Sequence, residues 1–528
     1  MDKKKNINAF GLAIILLVVG WLSLHFYAPP AVVGADAPTD IFSAARAETH
    51  MVHLASKPHP SGSAEHDRVV DYLKKTLSEL GLAVEIQEGT ARARDSGRGF
   101  SHLGSVRNVI ASLEGSENEQ AILLMAHYDS IYSAPGAGDN GSAVAALLET
   151  ARILRSGPKL RHKIIFLFTD AEESNLLGAR FFVENHSLAK QIRYVFNFDA
   201  RGNGGPVLMF ESSGADRALI SALKRAVPAP FANSLSSEIY DRMRNSTDFT
   251  VFKEKGIAGM NFAFIDGVVN YHTALDSLEN LSRNSLQHQG DYALGLARYF
   301  GASTNLEGTG GVVYFNPIGS VLIQYGTSMV WPLSLLALLL WFVIWRKLKG
   351  QEQVGAAKTL KGLVYATLCS ALIPFGLSLL WPMLMYAYPQ ADMEMHGYNS
   401  AVFLLVFGLA TFLLTGFTVR MIANRIGVPN LTMGALLMPL ILLGVISSAM
   451  PGATWLLVWP LLASLAALPF LTTHDENHPI WWLAAILSGV VTLFLFLPLV
   501  VPVFSAFPAS MILYSLLLLG LGQTFLLP

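Results

Sequence analysis

Beyond residue 310 the chain is so apolar that few kinds of structure remain open to it. No Lys or Arg follows Arg425, and no formally charged side chain follows Glu476. Seven apolar runs lie there: Thr327 to Trp345, Leu363 to Tyr386, Ala401 to Val419, Leu431 to Ala449, Trp455 to Leu471, Ile480 to Val500 and Ala509 to Leu527. An eighth, Ala9 to Tyr27, follows Lys3, Lys4 and Lys5. Crossing a bilayer takes about 20 apolar residues of helix. Inside it every backbone polar group must be satisfied internally, which leaves helices or closed barrels. Runs of this length predict an α-helical transmembrane bundle, with the bilayer itself as a partner. Pro374, Pro382 and Pro439 predict kinks, and Trp21, Trp331, Trp345, Trp481 and Trp482 suit an interface belt. The first run exceeds a usual signal-peptide core, and the APPAVVG that follows is a poor cleavage site, so an uncleaved anchor is expected.

Between these apolar parts, Asp36 to about Gly310 has the mixed charge and Gly-rich turns of a globular domain. The expected division is an anchor over 1–28, a globular domain over 29–310 and a C-terminal domain of about seven helices over 311–528. Lys and Arg cluster before the first run (Lys3 to Lys5), after the second (Arg346, Lys347, Lys349, Lys358, Lys361) and after the fourth (Arg420, Arg425). The loop YPQADMEMHGYNS carries none. Basic loops stay in the cytoplasm, so the globular domain is expected outside it, on a periplasmic or lumenal side. A net charge of −1 gives no footprint for nucleic acid. Cys369 is the only cysteine, which excludes an intrachain disulfide and a cysteine-built zinc site.

Within the domain, short β-type runs end on potential metal ligands. AILLMA runs into His127, HKIIFLFTD into Glu172 and Glu173, RYVFNF into Asp199, and GMNFAFI shortly precedes His272. Helical stretches such as GSAVAALLETARIL and LGARFFVENH alternate with them, which predicts a largely parallel α/β sheet. Ligands of such sheets bind beyond the carboxyl ends of the strands, so these side chains are expected in one crevice. Taken alone, HYDSIYSAPGAGDNGSA (127–143) reads equally well as a solvated loop and a helix cap. The convergence favours chemistry, because ionised carboxylates cannot share a dry site without compensating positive charge. Two divalent cations would balance Asp139, Glu172, Glu173 and Asp199 with His127 and His272 neutral, and zinc suits a mixed His/carboxylate set. Asp139, in its tight GDNG turn, would be the shared carboxylate.

The motifs HYD at 127–129, GAGDNGSA from Gly136, DAEE from Asp170, NFDARG from Asn197 and YHTALDSLEN from Tyr271 resemble the M28 family of zinc peptidases. HPSGSAEHDRVVDYL resembles its opening segment, and the likeness is closest to the family's membrane-embedded branch, which includes the endoplasmic-reticulum metallopeptidase and the fungal vacuolar membrane protease. The resemblance implies a three-layer α/β/α domain with a mostly parallel mixed sheet, and two Zn2+ ions. It implies that His127 and Asp199 bind one ion, Glu173 and His272 the other, and that Asp139 bridges them. Glu172 would be the general base and Asp129 would orient His127. The peptide after Asp139 is a candidate for the cis form on resemblance alone.

The activity so implied is that of an aminopeptidase acting on peptides. A carboxypeptidase, dipeptidase or glutaminyl cyclase of the same fold is the alternative, and a transporter or scaffold with an accessory peptidase-like domain a more distant one. Ion-coupled carriers need ionisable groups inside the membrane, and the seven C-terminal runs contain no Asp, Glu, Lys or Arg. Tyr240, Arg244 and Tyr271 are the candidates for an oxyanion donor, with ordinary structural roles favoured for each. Asp276 and Glu279 could support His272 or simply be helix-start acids. Arg201 could reach a substrate carboxylate, a local salt bridge being the plainer expectation. His59, His66, His102, His162 and His186 have no partner at ligand spacing and read as ordinary surface or loop histidines. Oligomeric state is not readable from the sequence.

Overall fold

The computed structural model describes the chain apart from residues 1, 95–100, 214–216, 244, 303–307, 309, 388–399, 475–477 and 527–528. Arg244 and most of the 388–400 loop therefore lie outside the described residues. Backbone contacts divide the chain into two units, one of residues 28–312 and one that joins residues 1–27 to 313–528.

The 28–312 unit is built on an eight-stranded sheet of order β1-β2-β4-β3-β5-β8-β6-β7. The strands are β1 (Ala83–Arg94), β2 (Ser101–Leu113), β3 (Glu117–His127), β4 (His162–Thr169), β5 (Ile192–Ala200), β6 (Leu208–Ser212), β7 (Phe231–Ala232) and β8 (Ala258–Phe264). The four central strands, β4, β3, β5 and β8, run parallel. β1 and β2 extend one side antiparallel, and β6 pairs antiparallel with β8 on the other. The largely parallel sheet expected from the alternating pattern, in the mixed form that the resemblance implies, is thus the one observed.

Central strands read as continuous apolar runs because both of their faces are covered. On one face Leu123, Met125, Ile165, Leu167 and Val195 pack with Phe182, Phe249 and Phe252. On the other, Phe196 meets Phe300 of the helix Arg283–Ala302 edge to face at 4.7 Å. Helices on both faces of one sheet give three layers. Parallel alignment brings the carboxyl ends of four neighbouring strands to one edge, and it is this edge that carries the chemistry.

In the other unit, six helices among the described residues are long and apolar enough to cross a membrane: Thr327–Gly350, Ala356–Ala387, Ser400–Ile426, Val428–Ala449, Trp455–Thr473 and Pro479–Ala506. The last of the seven expected C-terminal runs, Ala509 to Leu527, contains among the described residues a shorter apolar helix, Leu513–Leu526. At 1.5 Å per residue it reaches about 21 Å against a hydrocarbon core of about 30 Å. Pro508 and a 3-10 turn over Ala509–Met511 consume the start of that run. The first helix runs Asp2–His25 over 24 residues and carries the apolar run that follows Lys3 to Lys5. The helix continues through Pro374 and Pro439, and a break falls at Leu379, shortly before Pro382. Packing uses small residues, as it must where lipid tails compete with apolar side chains. A Cβ on Gly434 would lie 2.3 Å from the backbone nitrogen of Leu363, and Ser334 and Ser447 pair their hydroxyls at 3.0 Å.

One buried group in the 28–312 unit ties stability to pH. His288, fully buried in the helix Arg283–Ala302, accepts from Val207 N–H at Nδ1 and donates from Nε2 to the Ala229 carbonyl. Only the neutral ring can make both bonds, and burial pushes its pKa down to about 4 from 6.5, against a small opposing effect of the Ala229 carbonyl. The unfolded chain therefore binds a proton near pH 6.5 that the folded chain refuses until about pH 4. Stability is expected to fall as pH drops through that window and to level below it, by the linkage of proton binding to folding. Thermal midpoints measured from pH 7 to pH 4 check this, and His288→Gln, which cannot titrate, is expected to flatten the step.

Candidate metal centre

The carboxyl ends of the parallel strands deliver the expected side chains to one place. His127 is the last residue of β3, Asp199 lies one residue before the end of β5, and Glu172 and Glu173 follow β4. His272 follows β8 and Asp139 sits in the turn Ala137–Ser142. Ala171, Asn175 and Leu176 all have positive φ, so the chain after β4 doubles back tightly around the two glutamates. His272 also has positive φ, at 59°. Non-glycine residues in this region cost on the order of 1 kcal/mol each and persist where the surroundings enforce them.

Two groups of three side chains meet here, His127 with Asp139 and Asp199, and Asp139 with Glu173 and His272; in each, the donor atoms lie within 4.8 Å of one another. Asp139 belongs to both and offers a different oxygen to each. Its Oδ1 lies 3.0 Å from His127 Nε2, and its Oδ2 3.4 Å from His272 Nε2. Asp199 Oδ1 lies 3.7 Å from His127 Nε2, and Glu173 Oε1 3.3 Å from His272 Nε2. His272 Nε2 is a buried ring nitrogen with no hydrogen-bond partner among the described residues. Glu172 belongs to neither group. The peptide between Asp139 and Asn140 is cis.

The electrostatics show how much positive charge this cluster demands. Burial opposes a charge on His127, but Asp129, Asp139 and Asp199 outweigh it and raise its pKa well above the usual histidine range. His272 is raised to about 10, again against burial, by Asp139 and Glu173. Burial and then Asp139 push Glu173 up to about 7. Burial likewise pushes Glu172 well above the usual carboxylate range, helped by Asp199, Asp248 and Glu173 and opposed by His127. Protons are drawn to sites where a cation could serve instead, and a divalent ion would compete for the same lone pairs. Two His/carboxylate donor sets sharing one carboxylate fit a pair of divalent ions.

Supporting contacts differ from expectation in instructive ways. The nearest acceptor for His127 Nδ1–H is the Asp129 backbone carbonyl at 3.0 Å, with the Asp129 carboxylate at 3.5 Å. That carboxylate instead accepts from the backbone N–H groups of Glu172 and Glu173, at 3.1 and 3.3 Å. Asp276 does not serve His272. Buried beneath the Asp139 turn, it accepts from Gly138 N–H at 2.6 Å, Asp139 N–H at 3.1 Å and Asn203 Nδ2 at 2.7 Å. Glu279 is exposed. Tyr271 stacks on His272 with ring centroids 3.7 Å apart, and the Arg201 guanidinium lies 5.8 Å from the centre of the Tyr271 ring. The Tyr240 phenol is kept protonated by burial and by Glu211, Asp199 and Glu172.

Three of the five histidines read as surface or loop residues are buried: His59, His66 and His162. His66 Nε2 lies 2.8 Å from Asp170 Oδ1, which also accepts from Ser61. The upstream HPSGSAEHD segment therefore braces the first residue of the DAEE motif. His186 lies 3.2 Å from Glu85, and His102 is exposed. Sequence reasoning missed Asp248 altogether. It is fully buried, accepts from the Thr169 hydroxyl at the end of β4, and is pushed up to about 7 by burial, with Asp129 and Asp199 adding to the shift and Thr169 and His127 opposing it. Its only sequence signal, an acid after Thr247 at a helix start, is that of an ordinary cap.

Residues 108–297, which include every one of these ligand candidates, match the sequence profile of Peptidase family M28. This region is an M28 peptidase domain. Endoplasmic reticulum metallopeptidase 1 of Rattus norvegicus is 30% identical over 306 residues, covering 54% of this chain and 34% of that protein. Vacuolar membrane protease of Candida albicans (strain WO-1) is 32% identical over 283 residues, covering 52% of this chain and 33% of that protein. These are members of the branch that the motifs resemble, and the chain spans about a third of the length of the curated relatives it matches. Among solved structures, an aminopeptidase from Aneurinibacillus sp. strain AM-1 overlays with a TM-score of 0.42 at 18% identity, covering 51% of this chain and 96% of that one.

The buried Asp276 carboxylate makes the M28 domain's central turn testable on its own. Asp276→Ala orphans three buried donors, each at a cost of about 1–3 kcal/mol. It is expected to lower the thermal midpoint clearly, in chelated protein as well as in metal-loaded protein. A midpoint equal to wild type would show that the Asp139 turn holds its shape without this carboxylate.

Proposed function

We propose that the chain is a membrane-anchored zinc peptidase, and specifically a di-zinc aminopeptidase that removes N-terminal residues from peptides outside the cytoplasm. The observation that carries this reading is Asp139, whose two carboxylate oxygens face two different imidazoles, each backed by a further acid. In this proposal His127 and Asp199 would hold one Zn2+, Glu173 and His272 would hold the other, and Asp139 would serve both. The ions would lower the pKa of the attacking water and polarise the scissile carbonyl.

The chain's own residues supply the remainder. Glu172, which belongs to neither donor group, takes the proton of the attacking water and returns it to the leaving amine. Asp129 keeps Glu172 and Glu173 in place by accepting their backbone N–H groups, and through its carbonyl fixes the His127 ring with Nε2 toward the cluster. Tyr240, protonated and close enough to feel both Asp199 and Glu172, is the favoured donor to the developing oxyanion; Tyr271 is committed to stacking on His272. All six positions of the set are filled, which supports an enzyme over a scaffold that kept only the fold.

Adjacent acids separate the roles. Glu172→Gln is expected to keep both ions and the fold while lowering turnover by about 10²-fold or more. Glu173→Gln is expected to lose metal as well as rate. Metal content by elemental analysis, read beside hydrolysis of peptides with free and with blocked termini, decides the matter. Metal loss in Glu172→Gln with two ions retained in Glu173→Gln would exchange the assignments, and cleavage of substrates with blocked N-termini would remove the aminopeptidase reading.

Orientation has an independent test. The basic clusters at Lys3 to Lys5 and at Arg346 to Lys361 support, by charge asymmetry, a position of the domain outside the cytoplasm. A reporter active only in the cytoplasm, fused after Gly310, is expected to stay silent, and a strong signal would invert the topology.

A further inference from the structure

Uncharged sequence begins well before the first helix of the C-terminal part. From Gly308 to Trp345 there is no Asp, Glu, Lys or Arg, yet the α-helix starts only at Val330. The intervening residues fold as a two-stranded hairpin, β9 (Val312–Ile318) and β10 (Val321–Gly326), separate from the main sheet. An isolated hairpin is marginal in water and needs a surface to lie on. Part of that surface is the amino-terminal end of the span Trp455–Thr473. Phe315 stacks on Trp455 with centroids 4.7 Å apart and planes 2° apart, and Tyr325 meets Trp459 edge to face at 6.3 Å. At the turn, a Cβ on Gly319 would lie 3.0 Å from the carbonyl oxygen of Phe26, just past the helix that ends at His25.

Apolar side chains of the hairpin stand exposed among the described residues. Val321 and Ile323 are 57% and 40% exposed and Ile318 is 47% exposed, while Leu322 between the two β10 residues is buried at 2%. Exposed apolar side chains continue into the following span with Met329, Trp331, Leu335 and Leu336. Over Val321–Ile323, before Gln324, both faces of β10 carry apolar side chains, which is not the pattern of a strand with water on one side. Aromatic side chains at the end of a span mark the level of the bilayer interface, and Phe315, Tyr325, Trp455 and Trp459 gather at this hairpin.

We propose that the β9–β10 hairpin is a membrane-interface element whose Ile318, Val321 and Ile323 side chains insert into the boundary between headgroups and acyl chains on the side where the span Thr327–Gly350 begins. The occupant of this face is the bilayer, because the apolar surface runs without a charged residue into a span that the bilayer itself covers. Unlike a crossing helix, the hairpin satisfies its backbone partly by cross-strand bonds and leaves its open edges at the level where headgroups and water can reach them.

The test uses the full chain in phosphatidylcholine nanodiscs. Cys369, the only native cysteine, is replaced by Ala, and single cysteines are placed by Ile318→Cys, Val321→Cys or Ile323→Cys, with Glu119→Cys on the exposed part of β3 as control. Each is labelled with an environment-sensitive fluorophore. The expected result is blue-shifted emission at the three hairpin positions, quenched by lipids carrying a doxyl group near the headgroup end of the acyl chain and resistant to aqueous iodide, with the reverse at position 119. Iodide quenching equal to the control at the hairpin positions would overturn the proposal. Labels shielded from both quenchers would overturn it as well, by showing that protein covers this face. Substitution at three exposed positions leaves the hairpin's packing intact, so the readings stand independently of one another.

Discussion

Negative charge gathered at one edge of a parallel sheet is the constraint around which the M28 domain is arranged. Four neighbouring strands pointing the same way bring Glu172, Glu173 and Asp199 beside Asp139, which arrives from the turn after β3. Burial first, and then repulsion from Asp139, pushes Glu173 up to about 7. The fold tolerates this because nearly every backbone segment bearing an acid is held by a second, deeper acid or amide. Asp129 grips the Glu172–Glu173 turn, Asp276 the Asp139 turn, and Asp170 is itself held by Ser61, His66 and the backbone of Arg107. Repulsion in the front row is thus resisted by hydrogen bonds in the row behind.

How legible this was in the sequence depended on the kind of interaction. Residues at strand ends were readable because strand, direction and ligand follow from local pattern: an apolar run, a switch to helix, and an acid or histidine at the junction. His127, Asp139, Glu172, Glu173, Asp199 and His272 all come to one edge for that reason. The row behind was not readable, because its partners are far apart in the chain. Asp276 meets Gly138 across 138 residues and His66 meets Asp170 across 104. Nothing in the neighbourhood of either residue distinguishes a buried acceptor from a surface one. Asp248 is the extreme case, since an acid at the start of a helix after Thr247 satisfies every local rule for a cap while its carboxylate faces inward to Thr169.

Backbone carries part of the site as well. Ala171, Asn175, Leu176 and His272 hold positive φ without being glycines. Sequence reading places glycine at such positions and so gives no warning of them. Their concentration around two of the candidate ligands shows where local preference yields to the geometry of the cluster, which is where conflict between local and global demands is expected in an otherwise consistent fold.

In the apolar unit the sequence was legible in a different sense. Composition reports the solvent a segment meets more faithfully than the secondary structure it adopts. The long runs without charge form helices long and apolar enough to cross a membrane wherever the uninterrupted length reaches a span. Composition alone could not separate Leu513–Leu526, too short by about a third, from its neighbours, because Pro508 and the 3-10 turn after it consume residues that count as apolar. Nor could it show that the uncharged stretch before Val330 is strand, since Val, Leu, Ile and Tyr are at home in either structure. What separates the two is length between breaks: Gly319 and Gly326 confine β10 to six residues, enough for a strand and too few for a helix that must cross. A segment with the composition of a span and the length of a strand can neither cross the bilayer nor lie comfortably in water, and the boundary between the two is the place where both conditions are met.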